Sequence, residues 1–177
     1  MIERRACIKA RRFFTAQIHF LRLQYGHDIV ILMKIYLDNC CYNRPFDDQT
    51  ALKVHLEAIA KLAIQADIKC GVHKLVWSYI MDYENAHNPY DEKRRTIGAW
   101  KEIASEVIDT ETKDILDYAE KLAANGIKSF DALHLSCAIN AHCDYFLTTD
   151  RQLLSLLLPE IKIANPIRFI SETGGAE

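Results

Sequence analysis

The chain lacks any apolar run approaching the ~20 residues a bilayer-spanning helix needs, which excludes a membrane-spanning helix. It lacks internal repeats and low-complexity segments, which excludes solenoids and arrays. It also lacks a positive charge balance, with 22 Lys and Arg against 24 Asp and Glu for a net −2. Such a field does not draw nucleic acid to the surface, so the chain is not a protein that merely coats it. An enzyme whose carboxylates hold cations stays open. Six cysteines in 177 residues do not make a short, loop-rich disulfide scaffold. Cys40 and Cys41 are adjacent, and a bond between neighbours is strained. Reduced, mostly buried thiols and a cytoplasmic location are the expectation. What is present is ordinary: 50% hydrophobic and 26% charged residues, in a length suited to one globular domain.

The charge is unevenly spread. Residues 1–32 carry six basic residues (Arg4, Arg5, Lys9, Arg11, Arg12, Arg22) against Glu3 and Asp28. That surplus of four leaves the remainder at −6 for the total of −2. Arginines interrupt every candidate signal-peptide core, and a mitochondrial presequence is Ser-rich where this stretch has no Ser. Met33 is followed at once by a strand pattern, so residues 1–32 read as a basic N-terminal extension. An ordered basic arm that contacts a partner is the competing reading.

From Met33 onward, short apolar strands alternate with helices. Strands are expected at 34–37, 72–76, 106–108, 145–148 and 161–163. Helices are expected after Asp47–Thr50, from a Ser78 cap to about 87, around 90–104, over 112–124, from Ser129 to about 141, and over 152–158. In the first long helix Leu52, Leu56, Ile59, Leu62 and Ala63 repeat at helical spacing and read as its buried stripe. Alternation of this kind implies a three-layer α/β/α sandwich around a mostly parallel four- to five-stranded sheet. The domain is expected to span 33–170, with 171–177 a frayed tail.

Four acids fall where such a sheet binds ligands, at the carboxyl ends of its strands. Asp38 ends the first strand and Asp150 the fourth. Glu84 lies on the helix after the second strand, and Asp131 in the first turn of the helix from Ser129. Capping explains Asp131 and Asp150 singly, since an acid at a helix start accepts backbone N–H bonds. It does not explain four acids at one end of one sheet. Crowded carboxylates persist best around a cation, and all-oxygen ligands suit Mg²⁺ or Mn²⁺.

The strings Ile35-Tyr36-Leu37-Asp38, Ser78-x5-Glu84, Asp131-Ala132-Leu133-His134 and Leu147-Thr148-Thr149-Asp150, taken in order, resemble the successive motifs of the PIN domain family, which includes the VapC-like ribonuclease toxins of toxin–antitoxin pairs. The resemblance covers about residues 33–170. It implies Mg²⁺- or Mn²⁺-dependent hydrolysis of single-stranded or structured RNA to a 5′-phosphate and a 3′-hydroxyl, with Asp38, Glu84, Asp131 and Asp150 as the acidic quartet. Asp38 and Asp131 are the expected direct ligands; Glu84 and Asp150 act through water. An RNA substrate, an antitoxin partner and a homodimer are implied too. The chain departs from the pattern at Gln152, where many members carry a further acid, and at Asn39 and Cys40, where Ser or Thr is common. One bound metal is therefore as consistent as two.

Other residues play supporting parts. Thr148 and Thr149 orient Asp150 or bond phosphate, or simply close a strand. Ser78 caps its helix, and His134, one turn from Asp131, stands beside the site or serves as a buried structural histidine. His134, Cys137, His142 and Cys143 fit no zinc spacing. Lys93, Arg94, Arg95 and Lys101 read as a solvated face; Lys128 and Arg151 are better placed to meet a phosphate. Leu153, Leu154, Leu156, Leu157 and Leu158 are too many for one buried stripe and suggest a dimer or partner surface. A catalytically silent PIN-like module that binds RNA or protein is the alternative from another class. A phosphatase using Asp38 as nucleophile ranks last, because Cys40 stands where such enzymes want a second Asp.

Overall fold

The computed structural model describes residues 32–173. The basic segment read as an extension lies, but for Leu32, outside the described residues, as do residues 174–177.

Five short strands form one sheet in which every pairing is parallel: β1 (Lys34–Leu37), β2 (Lys74–Ser78), β3 (Glu106–Ile108), β4 (Tyr145–Leu147) and β5 (Lys162–Ala164). Their order is β3-β2-β1-β4-β5. The chain starts at the centre, builds outward to one edge, then crosses back to build the other. β1 and β4 therefore flank the point where the winding reverses, and ligands of open parallel sheets sit at the carboxyl ends of such a pair.

Among the described residues eight α-helices connect and follow the strands: α1 (Asn39–Asn43), α2 (Leu52–Lys69), α3 (Tyr79–Ala86), α4 (Asp91–Gly98), α5 (Lys113–Ala124), α6 (Ser129–Asn140), α7 (Arg151–Leu154) and α8 (Pro166–Thr173). Strand side chains alternate between faces, and partners identify each face. Tyr36 stacks on Phe146 across β1 and β4, with centroids 5.5 Å apart, and reaches His134 of α6. The next residue of β4's other face, Tyr145, meets Phe169 of α8, which packs along α2. Helices α3, α5 and α6 thus form one layer, α2 and α8 the other. This is the expected three-layer α/β/α architecture, with the whole sheet parallel. Among the described residues no helix is long and apolar enough to cross a membrane, and the five described cysteines form no disulfide.

Several local expectations are corrected. α7 stops at Leu154 rather than 158, and α8 occupies the region from 166 where no helix was expected, carrying regular structure past 170 to Thr173. Of the leucines at 153–158, Leu153 is buried and Leu157 is 96% exposed. Leu154, Leu156, Leu157 and Leu158 line an open groove with Tyr145 and Lys162.

The largest correction concerns α2. The stripe expected to be buried faces outward: Leu52 is 70% exposed, Ile59 51% and Leu62 52%. The buried face carries Glu57, Ala58, Ala60, Lys61, Ile64, Gln65 and Ile68. Apolar residues occupy both sides of this helix, so periodicity alone does not choose between them. The two buried charges on this face have partners, as charges must. Glu57 pairs with Arg44 at 3.0 Å. Lys61 lies over the Tyr42 ring, and burial pushes its amine down to about 8. Small Ala58 and Ala60 let the helix approach the sheet.

Two truncations of the same chemistry separate the faces. Ile64→Ala should destabilise the domain by about 2–5 kcal/mol, the range for a buried aliphatic. Ile59→Ala should stay within about 0.5–1 kcal/mol, as for an exposed position. Denaturant unfolding of the two variants measures both, and equal losses would mean that α2 turns its other face to the sheet.

Candidate active site

Asp38 is the first residue past β1. Its backbone N–H donates to the Leu147 carbonyl at 2.9 Å, so the β1–β4 pairing carries it to the sheet's carboxyl end. The side chain is 6% exposed. A buried carboxylate needs donors, and it has two on Oδ2: the Thr148 hydroxyl at 2.6 Å and the Cys40 thiol at 3.0 Å. Thr148 also accepts the Asp150 N–H at 3.1 Å. One buried hydroxyl therefore sets the positions of two of the expected acids. Thr149 donates its N–H to the Cys40 sulfur at 3.2 Å. Cys40 thus supplies a donor where a hydroxyl residue was the familiar choice.

Asp150 caps α7 through Oδ1, which accepts from Gln152 N at 2.7 Å and Leu153 N at 3.2 Å. Gln152 adds no charge; its amide donates to the Gly126 carbonyl at 2.9 Å and ties α7 to the turn between α5 and α6.

Glu84 of α3 is anchored differently. Its Oε2 lies 3.0 Å from His134 Nε2. His134 Nδ1 lies 2.7 Å from the Tyr36 hydroxyl, which lies 2.5 Å from Ser78 Oγ. With Glu84 ionised, the consistent assignment has Nε2–H donating to Glu84, the Tyr36 hydroxyl donating to Nδ1, and Ser78 donating to Tyr36. Burial opposes Glu84's charge, but the hydrogen bonds from His134 and the Asn39 side chain outweigh it and hold the carboxyl below its ordinary value. Burial pushes the Tyr36 hydroxyl well up, so it stays protonated within the chain. Ser78 therefore does not cap α3 with its side chain as expected; its hydroxyl is spent on Tyr36.

Asp131 sits in the first turn of α6, whose cap position is Lys128 and shows no side-chain capping bond. Burial raises its carboxyl above the ordinary value; the charge of Asp38 raises it further, Lys128 opposes, and Asp150 adds to the rise. Asp131 therefore lies in the field of Asp38 and Asp150, and Glu84 is bound to α6 one turn from Asp131. The four stand after the carboxyl ends of β1, β2 and β4 and at the start of α6, and among the described residues no group of three or more His, Cys, Asp or Glu could hold a metal ion. The donor chemistry still fits a hard divalent cation. All four are oxygen donors, and burial together with the charges of Asp38 and Asp150 works against an ionised Asp131, which a cation would favour.

The basic cluster is engaged internally, as a solvated face would be. Arg94 pairs with Asp91, Lys101 pairs with Asp82 at 2.7 Å, and Lys93 lies over the Phe46 and Tyr90 rings. Sequence reasoning missed Tyr36 as the hub of the Glu84 chain. The signal was its place two residues before Asp38, on the same face of β1.

No family model matches the chain, and no curated protein matches it. Among solved structures it is similar to VapBC2 from Rickettsia felis bound to a DNA fragment from their promoter, at 18% identity and a TM-score of 0.46, over 75% of this chain and 98% of that one.

The raised Asp131 carboxyl has a consequence for stability. Above its folded-state value the native protein holds a charge it disfavours; below the ordinary carboxylate value both states are protonated and the penalty disappears. Asp131→Asn should therefore raise the Tm at pH 7 in EDTA, with a gain that fades as pH falls into the carboxylate range. Thermal unfolding across pH measures this, and no gain at neutral pH would mean that Asp131 is not crowded.

Proposed function

We propose that the chain is a metal-dependent endoribonuclease, with Asp38, Glu84, Asp131 and Asp150 as its acidic site and Mg²⁺ or Mn²⁺ as its cofactor. The observation that supports this best is the buried Asp38 carboxylate at the β1–β4 switch point, held by Thr148 and Cys40, with Asp150 tied to the same Thr148 hydroxyl. The ordered resemblance to PIN motifs adds the substrate class. The label of a toxin with an antitoxin partner rests on that resemblance alone.

A divalent cation held there supplies Lewis-acid polarisation of a phosphate and acidifies a bound water. The rest is the work of the chain's own residues. Asp38 and Asp131 are the direct ligands in this reading. Asp38 is suited to that role because its Oδ2 is immobilised by Thr148 and Cys40. Glu84, fixed by His134 and kept ionised, orients water, and Asp150 does the same from the start of α7. Lys128 and Arg151, both exposed, are placed to meet the backbone of the RNA. In-line attack forms a bond from water oxygen to phosphorus and breaks the bond to the 3′-oxygen, leaving a 5′-phosphate and a 3′-hydroxyl.

One observation favours a second reading, a catalytically silent module: the four acids do not close into a formed cluster. Assays with Mn²⁺ and then EDTA separate the two. The nuclease reading expects cleavage that EDTA abolishes and that Asp38→Asn and Asp131→Asn each lower by at least about a hundredfold, the scale of losing one group that stabilises transition-state charge. It also expects Mn²⁺ to raise the Tm of the unaltered protein more than that of either variant. Cleavage indifferent to EDTA, or full activity in a folded Asp38→Asn protein, would overturn it.

A further inference from the structure

On the two helices that carry Glu84 and Asp131 stands a group of rings that the site chemistry does not use. Tyr83 is 50% exposed and Phe130 46% exposed. Their centroids are 5.5 Å apart, with ring planes 37° apart. His87, also exposed, lies one turn along α3 with its centroid 4.4 Å from that of Tyr83, held by a 2.7 Å contact from Nδ1 to the Tyr83 carbonyl. Tyr83 immediately precedes Glu84, and Phe130 immediately precedes Asp131. The rings thus bridge the two helices that carry those acids.

We infer that Tyr83, His87 and Phe130 form a stacking platform for an unpaired nucleobase next to the phosphate the carboxylates address. The inference rests on the nucleic-acid-cutting reading above and adds to it a surface that would hold a base of the strand. Large rings left half in water forgo burial that the core offers, and a base face recovers it. Stacking on exposed aromatics is the sequence-tolerant way proteins hold single strands, and a base locked in a duplex has no free face to give. The start of α6 places the needed chemistry in order: Lys128 for a phosphate, Phe130 for a base, Asp131 for the reacting centre. An acidic domain gains little from long-range attraction to RNA, so a contact that needs no charge suits it.

Fluorescence anisotropy with the full chain in EDTA tests this without metal or cleavage. The probes are a short labelled single-stranded RNA of mixed sequence and the same strand annealed to its complement. Tyr83→Ala and Phe130→Ala should each weaken single-strand binding by about tenfold and leave duplex binding unchanged. Tyr83→Phe and Phe130→Tyr should keep the single-strand affinity. The platform is overturned if the alanine variants bind single strands as the unaltered chain does, if both probes weaken equally, or if the unaltered chain binds no single strand. It is also overturned if the variants change the sedimentation of the protein but not RNA binding, which would make the patch a contact between copies. Failure of the nuclease reading looks different: ring-dependent binding of single strands with no Mn²⁺-dependent cleavage.

Discussion

The arrangement of the carboxyl end of the sheet depends on one buried hydroxyl. Thr148 stands just past β4, fully buried, and its oxygen donates to Asp38 while accepting the N–H of Asp150. Its own N–H continues the β4–β5 pairing at Ala164. In one residue the register of three strands becomes the spacing of two acids. The point is at the switch of the winding, where no helix crosses directly from β1 to β4, so the backbone leaves room for side chains. A rigid sheet places such groups more firmly than a loop does.

A second line of bonds carries the opposite side of the site. The chain from Glu84 through His134 and Tyr36 to Ser78 passes from α3 to α6 to the sheet. Each member satisfies a neighbour that burial would otherwise leave unpaired, and a fully satisfied buried network rigidifies what it joins. Asp131 alone among the four acids is not tied down this way. Burial and two neighbouring carboxylates work against its charge, so a cation would act most directly there.

The layering and the ends of β1 and β4 were legible because alternating strands and helices leave a period-two and a period-3.6 trace. Asp38 and Asp150 followed from those ends. Glu84 was legible only through its distance from Ser78 in the motif order, since a lone acid on a helix carries no local sign of a buried histidine partner 50 positions away. Ser78 looked like a cap because serine before a helix usually is one; the Tyr36 hydroxyl competes for it, a contact 42 residues apart that no local pattern encodes. α2 was read inside out because it is apolar on both sides, and the choice depended on whether Glu57 had a buried cation to meet. Arg44, in the turn after α1, supplied it.

That inverted helix separates two demands usually made of the same residues. The face of α2 that joins the domain is built from alanine, isoleucine and buried polar groups, while Leu52, Leu56, Ile59 and Leu62 lie in water. Substitution at those four positions is nearly invisible to folding, so their identity is free to answer to solubility and to whatever meets the surface. A domain built this way can change its outer company while its interior stays as it is.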